Sequence, residues 1–163
     1  RYKDTAIILT GGVDDIWQDT ITEQLIIVDY KSQAKNGRVD KKDYLDDPFH
    51  EAYKIQMDFY AYLLSGMGFS VHPTSYFLVC NAKRDEDEFN KTMRFDEYLV
   101  PYKWSNDWIE SRLDEMVALM NQLEVPESNH SCKNCAYADQ YSKIIFSGNT
   151  SQKEITQGTL PLF

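Results

Sequence analysis

Apolar and polar positions fall in blocks along the chain. Ala6 to Leu9 is apolar and β-rich, the Gly11-Gly12 pair follows, and VDDIW comes next. A polar stretch, QDTITEQ, separates this from LIIVDYKS at Leu25 to Ser32, whose apolar body reads as a buried strand. The two blocks predict a hairpin turning near Asp19 to Thr22. Residues 32–48 are polar and contain Gly37 and Pro48, which predicts a loop. From Phe49 to Gly66 the spacing becomes helical, with Tyr53, Gln56, Tyr60, Leu63, Leu64 and Met67 on one side. Ser75 to Cys80 (SYFLVC) predicts a buried strand, and an acidic turn leads to a further strand near Arg94 to Tyr102. Asn106 to Leu123 predicts an amphipathic helix with Trp108, Leu113, Val117 and Met120 as core positions. From Glu124 the chain is polar and predicted irregular, apart from its last residues. The order β-β-α-β-β-α is that of an α/β protein in the α+β range: a mixed central sheet flanked by helices.

Composition narrows the function classes. The 163 residues are 42% hydrophobic and 26% charged, ordinary for a globular protein with a real core. No apolar run approaches the length that spans a bilayer, and no signal-peptide pattern opens the chain, so no membrane partner is expected. The chain starts without Met and moves almost at once into strand-like sequence, as expected of a processed chain or the back part of a larger protein. Three cysteines, only two of them close together, argue against a disulfide framework and for a reducing, cytoplasmic compartment. A net charge of −9 argues against nucleic acid as a partner, but the charge is uneven. Lys31, Lys35, Arg38, Lys41 and Lys42 face one acid, Asp40, within twelve positions, while acids gather in DEDE at Asp85 to Glu88. The basic segment is either a solvated loop or a grip on a nucleic-acid backbone.

Chemistry concentrates in the hairpin. Residues i and i+2 of a strand share a face, so Asp29 and Lys31 point the same way. Folding the hairpin between Ile21 and Thr22 sets Asp14 opposite Asp29. Facing carboxylates repel unless something lies between them, and hard oxygen ligands suit Mg²⁺ or Mn²⁺. Taken alone, an Asp-x-Lys at a strand end is a surface ion pair, and Gln56 and Tyr60 are ordinary members of a helix stripe.

Together, GGVDDIW, VDYKS and QMDFYAYLL resemble the PD-(D/E)xK nuclease superfamily, in particular its RecB-type exonuclease branch, over roughly residues 6–141. Gly12-Val13-Asp14 matches the branch's G-x-D, Asp29-Tyr30-Lys31 its D-x-K, and Gln56 to Tyr60 its Q-x-x-x-Y. Asp15 departs from the family, which often has a basic or apolar residue there. The resemblance implies a restriction-endonuclease-like fold and a metal-dependent DNA nuclease. Its Mg²⁺ or Mn²⁺ would be held by Asp14, Asp29 and the Tyr30 carbonyl. Lys31 would position water or stabilise phosphate charge, and Gln56 and Tyr60 would complete the site. Lys35, Arg38, Lys41 and Lys42 would hold the nucleic acid. The family often carries a helix ahead of the first strand; a core over residues 1–125 lacking that helix is expected here.

The same resemblance frames the tail. Iron–sulfur members of the branch read C-x-x-C-x-x-x-x-x-C, with a fourth cysteine far upstream. Here Cys132 and Cys135 are followed by Tyr141 where the last cysteine would fall, and no cysteine precedes Cys80, expected buried in its strand. With His130 these make at most a partial site, so residues 126–146 form a degenerate segment and no iron–sulfur cluster is expected in this chain. Residues 147–163 read as a flexible tail. Its end, Gln157 with Leu160, Pro161, Leu162 and Phe163, resembles the sliding-clamp-binding peptide Q-L-x-L-P-L-F of bacterial replication and repair proteins, with Gly158 where Leu is preferred. The alternative to an active nuclease is a DNA-binding or scaffold module that keeps the fold without the activity.

Overall fold

The computed structural model describes residues 1–84, 91–124, 126–129 and 131–148. It divides into two units, Arg1–Met116 and Val117–Phe163. In the first, β1 (Asp15–Gln18) and β2 (Leu25–Gln33) form the hairpin. A short helix α1 (Lys41–Asp46) and a 3₁₀ turn (Pro48–His50) lead into α2 (Glu51–Gly66), followed by β3 (Thr74–Ala82), β4 (Phe95–Lys103) and the start of α3 (Ile109–Met120). The sheet order is β1-β2-β3-β4, with β2 and β3 parallel and both outer pairs antiparallel. The parallel pair needs a crossover, and α1 and α2 supply it.

The strands follow their side chains. Along β3 every second residue, Ser75, Phe77, Val79 and Asn81, is buried, and the intervening ones are half-buried. Ile27, Phe77, Val79 and Val100 line one face of the sheet, where Met57, Tyr60 and Ala61 of α2 close the core. Asp58 ties this layer together: its carboxylate accepts from the Tyr102 hydroxyl (2.9 Å), the Ser105 amide (3.0 Å) and the Trp108 indole (2.9 Å). A buried charge met by three donors holds α2 to the end of β4 and the residues before α3.

Several expectations need correction. Ala6 to Leu9 is not a strand; β1 begins after the glycines, at Asp15. The segment expected as a loop contains α1, started by Asp40, whose side chain accepts from the Lys42 and Asp43 amides. Of the expected core positions near α3, Met120 is exposed and Trp108 and Val117 are half-buried; Leu113 is buried, as is Ile109. Cys80 is half-buried on the sheet face away from α2.

In the second unit the segment expected to be irregular forms α4 (Lys133–Gly148). Cys132 precedes it, and its Sγ accepts from the Cys135 amide (3.3 Å). The thiol takes the place of a Ser or Asp oxygen at a helix start, and the contacts with Cys135 lower its pKa. The Cys-x-x-Cys spacing here is thus that of a helix cap. His130 and the whole clamp-like peptide from Gln157 to Phe163 lie outside the described residues. Among the described residues no helix is long and apolar enough to cross a membrane.

Candidate active site

The hairpin register sets the site. Asp15 pairs with Val28 and Gln18 with Leu25, so one further step places Asp14 opposite Asp29. Asp14 sits just ahead of β1, where its Oδ2 accepts from the Tyr30 amide (2.8 Å). A strand residue presents its N–H and C=O toward the same edge, so the Tyr30 carbonyl also faces the side on which Asp14 lies. Asp15 goes to the other face: its Oδ2 accepts from the Tyr30 hydroxyl (2.6 Å) and the Trp17 indole (2.9 Å). These bonds hold the Asp15 carboxyl below the usual carboxylate range, the Tyr30 bond contributing most. The departure at position 15 is therefore a brace behind the site.

Asp29 is the buried member, 1% exposed, next to Phe77 on β3. Its Oδ2 is in ion-pair contact with the Lys31 ammonium and, among the described residues, has no aligned hydrogen-bond donor. Burial pushes its carboxyl above the usual range; Lys31 opposes that shift and the Asp14 carboxylate adds to it. Such a group is electrostatically incomplete.

Lys31 is fixed from α2. Its Nζ donates to Gln56 Oε1 (3.2 Å), and Gln56 Nε2 donates to the Tyr60 hydroxyl (2.6 Å). The ammonium lies 4.4 Å from the Tyr53 ring centroid, a cation–π contact. Tyr53, Gln56 and Tyr60 fall on one helix face by their i, i+3, i+7 spacing. That spacing alone makes Tyr53 one more member of the helix stripe, and the structure shows it as the floor of the lysine site. His50, stacked on Tyr53 at 5.2 Å, carries no signal in the sequence pattern; its Nδ1 lies 2.7 Å from the Tyr44 carbonyl and steadies that floor.

The structure thus brings Asp14, Asp29, Lys31, Gln56 and Tyr60 together. The basic residues stand apart from them. Lys35 pairs with Asp47 (3.2 Å) and Lys42 with Asp46 (2.5 Å). Arg38 lines a small hollow with Lys35 and Asp43, and Lys41 is exposed at the start of α1. Exposed pairs of this kind are weak and open readily to a competing phosphate.

Two carboxylates and a carbonyl are hard oxygen donors of the kind Mg²⁺ and Mn²⁺ take, and the crowded charge of Asp29 beside Asp14 is what a dication would relieve. The donor set is small: among the described residues no three His, Cys, Asp or Glu side chains gather into a metal-binding group. Such an ion would complete its shell with solvent and substrate oxygens.

The sequence matches the family model described as PD-(D/E)XK nuclease superfamily over residues 2–140. No curated protein and no solved structure matches the chain.

Proposed function

The chain belongs to the PD-(D/E)XK nuclease superfamily, and from that membership we propose that it hydrolyses DNA phosphodiester bonds with Mg²⁺ or Mn²⁺, as an exonuclease-like enzyme of replication, repair or recombination. The observation that carries the reading is the meeting of Asp14, the buried Asp29 and Lys31 at one end of the β1–β2 hairpin. A divalent cation held by Asp14, Asp29 and the Tyr30 carbonyl supplies Lewis acidity toward water and the scissile phosphate. Lys31 brings a positive charge into contact with Asp29. Held by Asp29, Gln56 and Tyr53, its ammonium is pre-aimed at negative charge developing on phosphate and needs little reorganisation to meet it. Gln56 and Tyr60 keep the lysine from swinging to solvent.

Lys35, Arg38, Lys41 and Lys42 follow β2 in sequence and give an otherwise acidic chain a local grip on the backbone. Replacing any one of them by Ala should make the salt dependence of binding shallower by about one unit of slope. The RecB-type branch is supported by the spacing of the three motifs. The tail peptide supports tethering to a sliding clamp, which would raise the local concentration of a weak binder. Free cysteines suit a cytoplasmic setting.

The test is cleavage of labelled single- and double-stranded DNA with Mg²⁺ or Mn²⁺ by wild type, Asp29→Ala and Lys31→Ala. Metal-dependent cleavage that disappears in both variants supports the reading. A folded protein that binds DNA and cleaves none with either metal would leave the non-catalytic DNA-binding module.

A further inference from the structure

A cavity of about 670 Å³ opens beside the site, wholly within the first unit. Its apolar walls include Leu9, Val13, Tyr60, Tyr62, Leu63 and Met67. Its volume lies in the range, about 300–1,000 Å³, of pockets that take small organic ligands. Two residues join it to the site. Val13 precedes Asp14 in the chain. Tyr60 faces both ways: its hydroxyl accepts from Gln56 in the lysine relay, and its ring forms a cavity wall.

We propose that this cavity receives an unpaired nucleobase of the strand whose phosphate lies at Asp14, Asp29 and Lys31. The inference rests on the nuclease reading and specifies its substrate as single-stranded DNA or a frayed end. A nucleotide neighbouring the reacting phosphate has its base within one sugar's reach, and Tyr60, the wall shared by site and cavity, is aromatic. The half-buried Tyr62 ring is the stacking surface, and such stacking tolerates any base, while the buried Tyr60 ring backs the wall on the side of the site. The apolar walls suit the ring, while Asn106 and Glu110 bring polar groups able to meet its edge. Arg1 and Lys3 add positive charge to the lining, Lys3 held by Asp114 (2.7 Å). A base within a duplex is stacked and paired and does not reach such a pocket without being unstacked.

The experiment measures binding by fluorescence anisotropy, without added divalent metal, of oligonucleotides in which one abasic residue is walked along the strand. The proteins are wild type, Tyr62→Ala and Ser65→Trp, the last placing an indole at the cavity edge. Wild type should bind single strand over blunt duplex and lose about tenfold in affinity when the abasic residue occupies one particular position. The same abasic residue should cost either variant less than twofold. Equal sensitivity in all three proteins, no sensitive position, or no binding would overturn the pocket. Cleavage with Mg²⁺ or Mn²⁺ is scored on the same strands. Cleavage without a sensitive position sinks the pocket and spares the nuclease; a sensitive position without cleavage does the reverse.

Discussion

Asp14 and Tyr30 are joined across the hairpin by a 2.8 Å hydrogen bond from the tyrosine amide to the aspartate Oδ2, where the next ladder bond of β1 would otherwise run. One tyrosine therefore serves two neighbouring acids on opposite faces: its backbone holds Asp14 and its hydroxyl holds Asp15 (2.6 Å). The difference predicts a sharp contrast between adjacent substitutions. Asp14→Ala should abolish metal binding measured by calorimetry and lower kcat at least about 100-fold, with the protein folded. Asp15→Ala should leave metal binding in place and change kcat less than about tenfold. Equal losses in the two variants would mean that Asp15, too, reaches the metal.

Lys31, Gln56 and Tyr60 form a relay whose middle member has no charge. If Gln56 acts by aiming the ammonium, Gln56→Ala should lower kcat about 10- to 100-fold and leave KM near wild type. Tyr60→Phe, which removes the hydroxyl that Gln56 Nε2 donates to, should give a smaller loss in the same direction. A rise in KM with kcat untouched would instead place Gln56 on the substrate.

The parts of this site differ in how plainly the sequence announces them. The register setting Asp14 opposite Asp29 follows from centring the turn between Ile21 and Thr22, and the observed pairing of Asp15 with Val28 has the same centre. The face carrying Gln56 and Tyr60 follows from helical spacing. What the pattern misses are polar helices. α1 has an ordinary Asp40 cap but buries only Tyr44, and α4 begins on a cysteine in place of a usual cap residue. Ala6 to Leu9 misleads in the opposite direction: Ile7 and Ile8 are β-formers in an apolar run, but among the described residues no ladder reaches them, because β1 pairs only from Asp15. Packing partners decide these segments, and partners are not local in sequence.

The hairpin turn carries its own pH dependence. Asp19 accepts from the Thr22 amide (2.7 Å), the Ile21 amide (2.9 Å) and the Thr22 hydroxyl (3.0 Å), and these bonds, the Thr22 amide first, hold its carboxyl below the ordinary range. A depressed folded pKa stabilises above the unfolded value, and that stabilisation is lost as pH falls through the folded one. Asp19→Asn keeps acceptor oxygens for the turn without the titration. Its urea midpoint should therefore vary less than that of wild type between about pH 5 and pH 2. Identical acid profiles for the two proteins would show that Asp19 ionises alike folded and unfolded.

Gly11 is where the loop ahead of the site meets α2. A Cβ there would lie 2.9 Å from Tyr60 Cε1, 3.1 Å from Tyr60 Cδ1 and 3.2 Å from Leu63 Cδ1. The first two contacts are with a buried ring braced by Gln56, which cannot swing aside as a flexible side-chain end would. Gly11→Ala should therefore cost about 1–3 kcal/mol in urea unfolding and lower cleavage as Tyr60 moves. Tyr60→Phe keeps both clashing ring carbons, so it should not rescue Gly11→Ala, whereas Tyr60→Ala should make the added methyl nearly neutral for stability. That pair of double mutants tells which neighbour is the obstacle: if Gly11→Ala costs the same in the Tyr60→Ala background, the ring is not the obstacle and the Leu63 contact carries the cost.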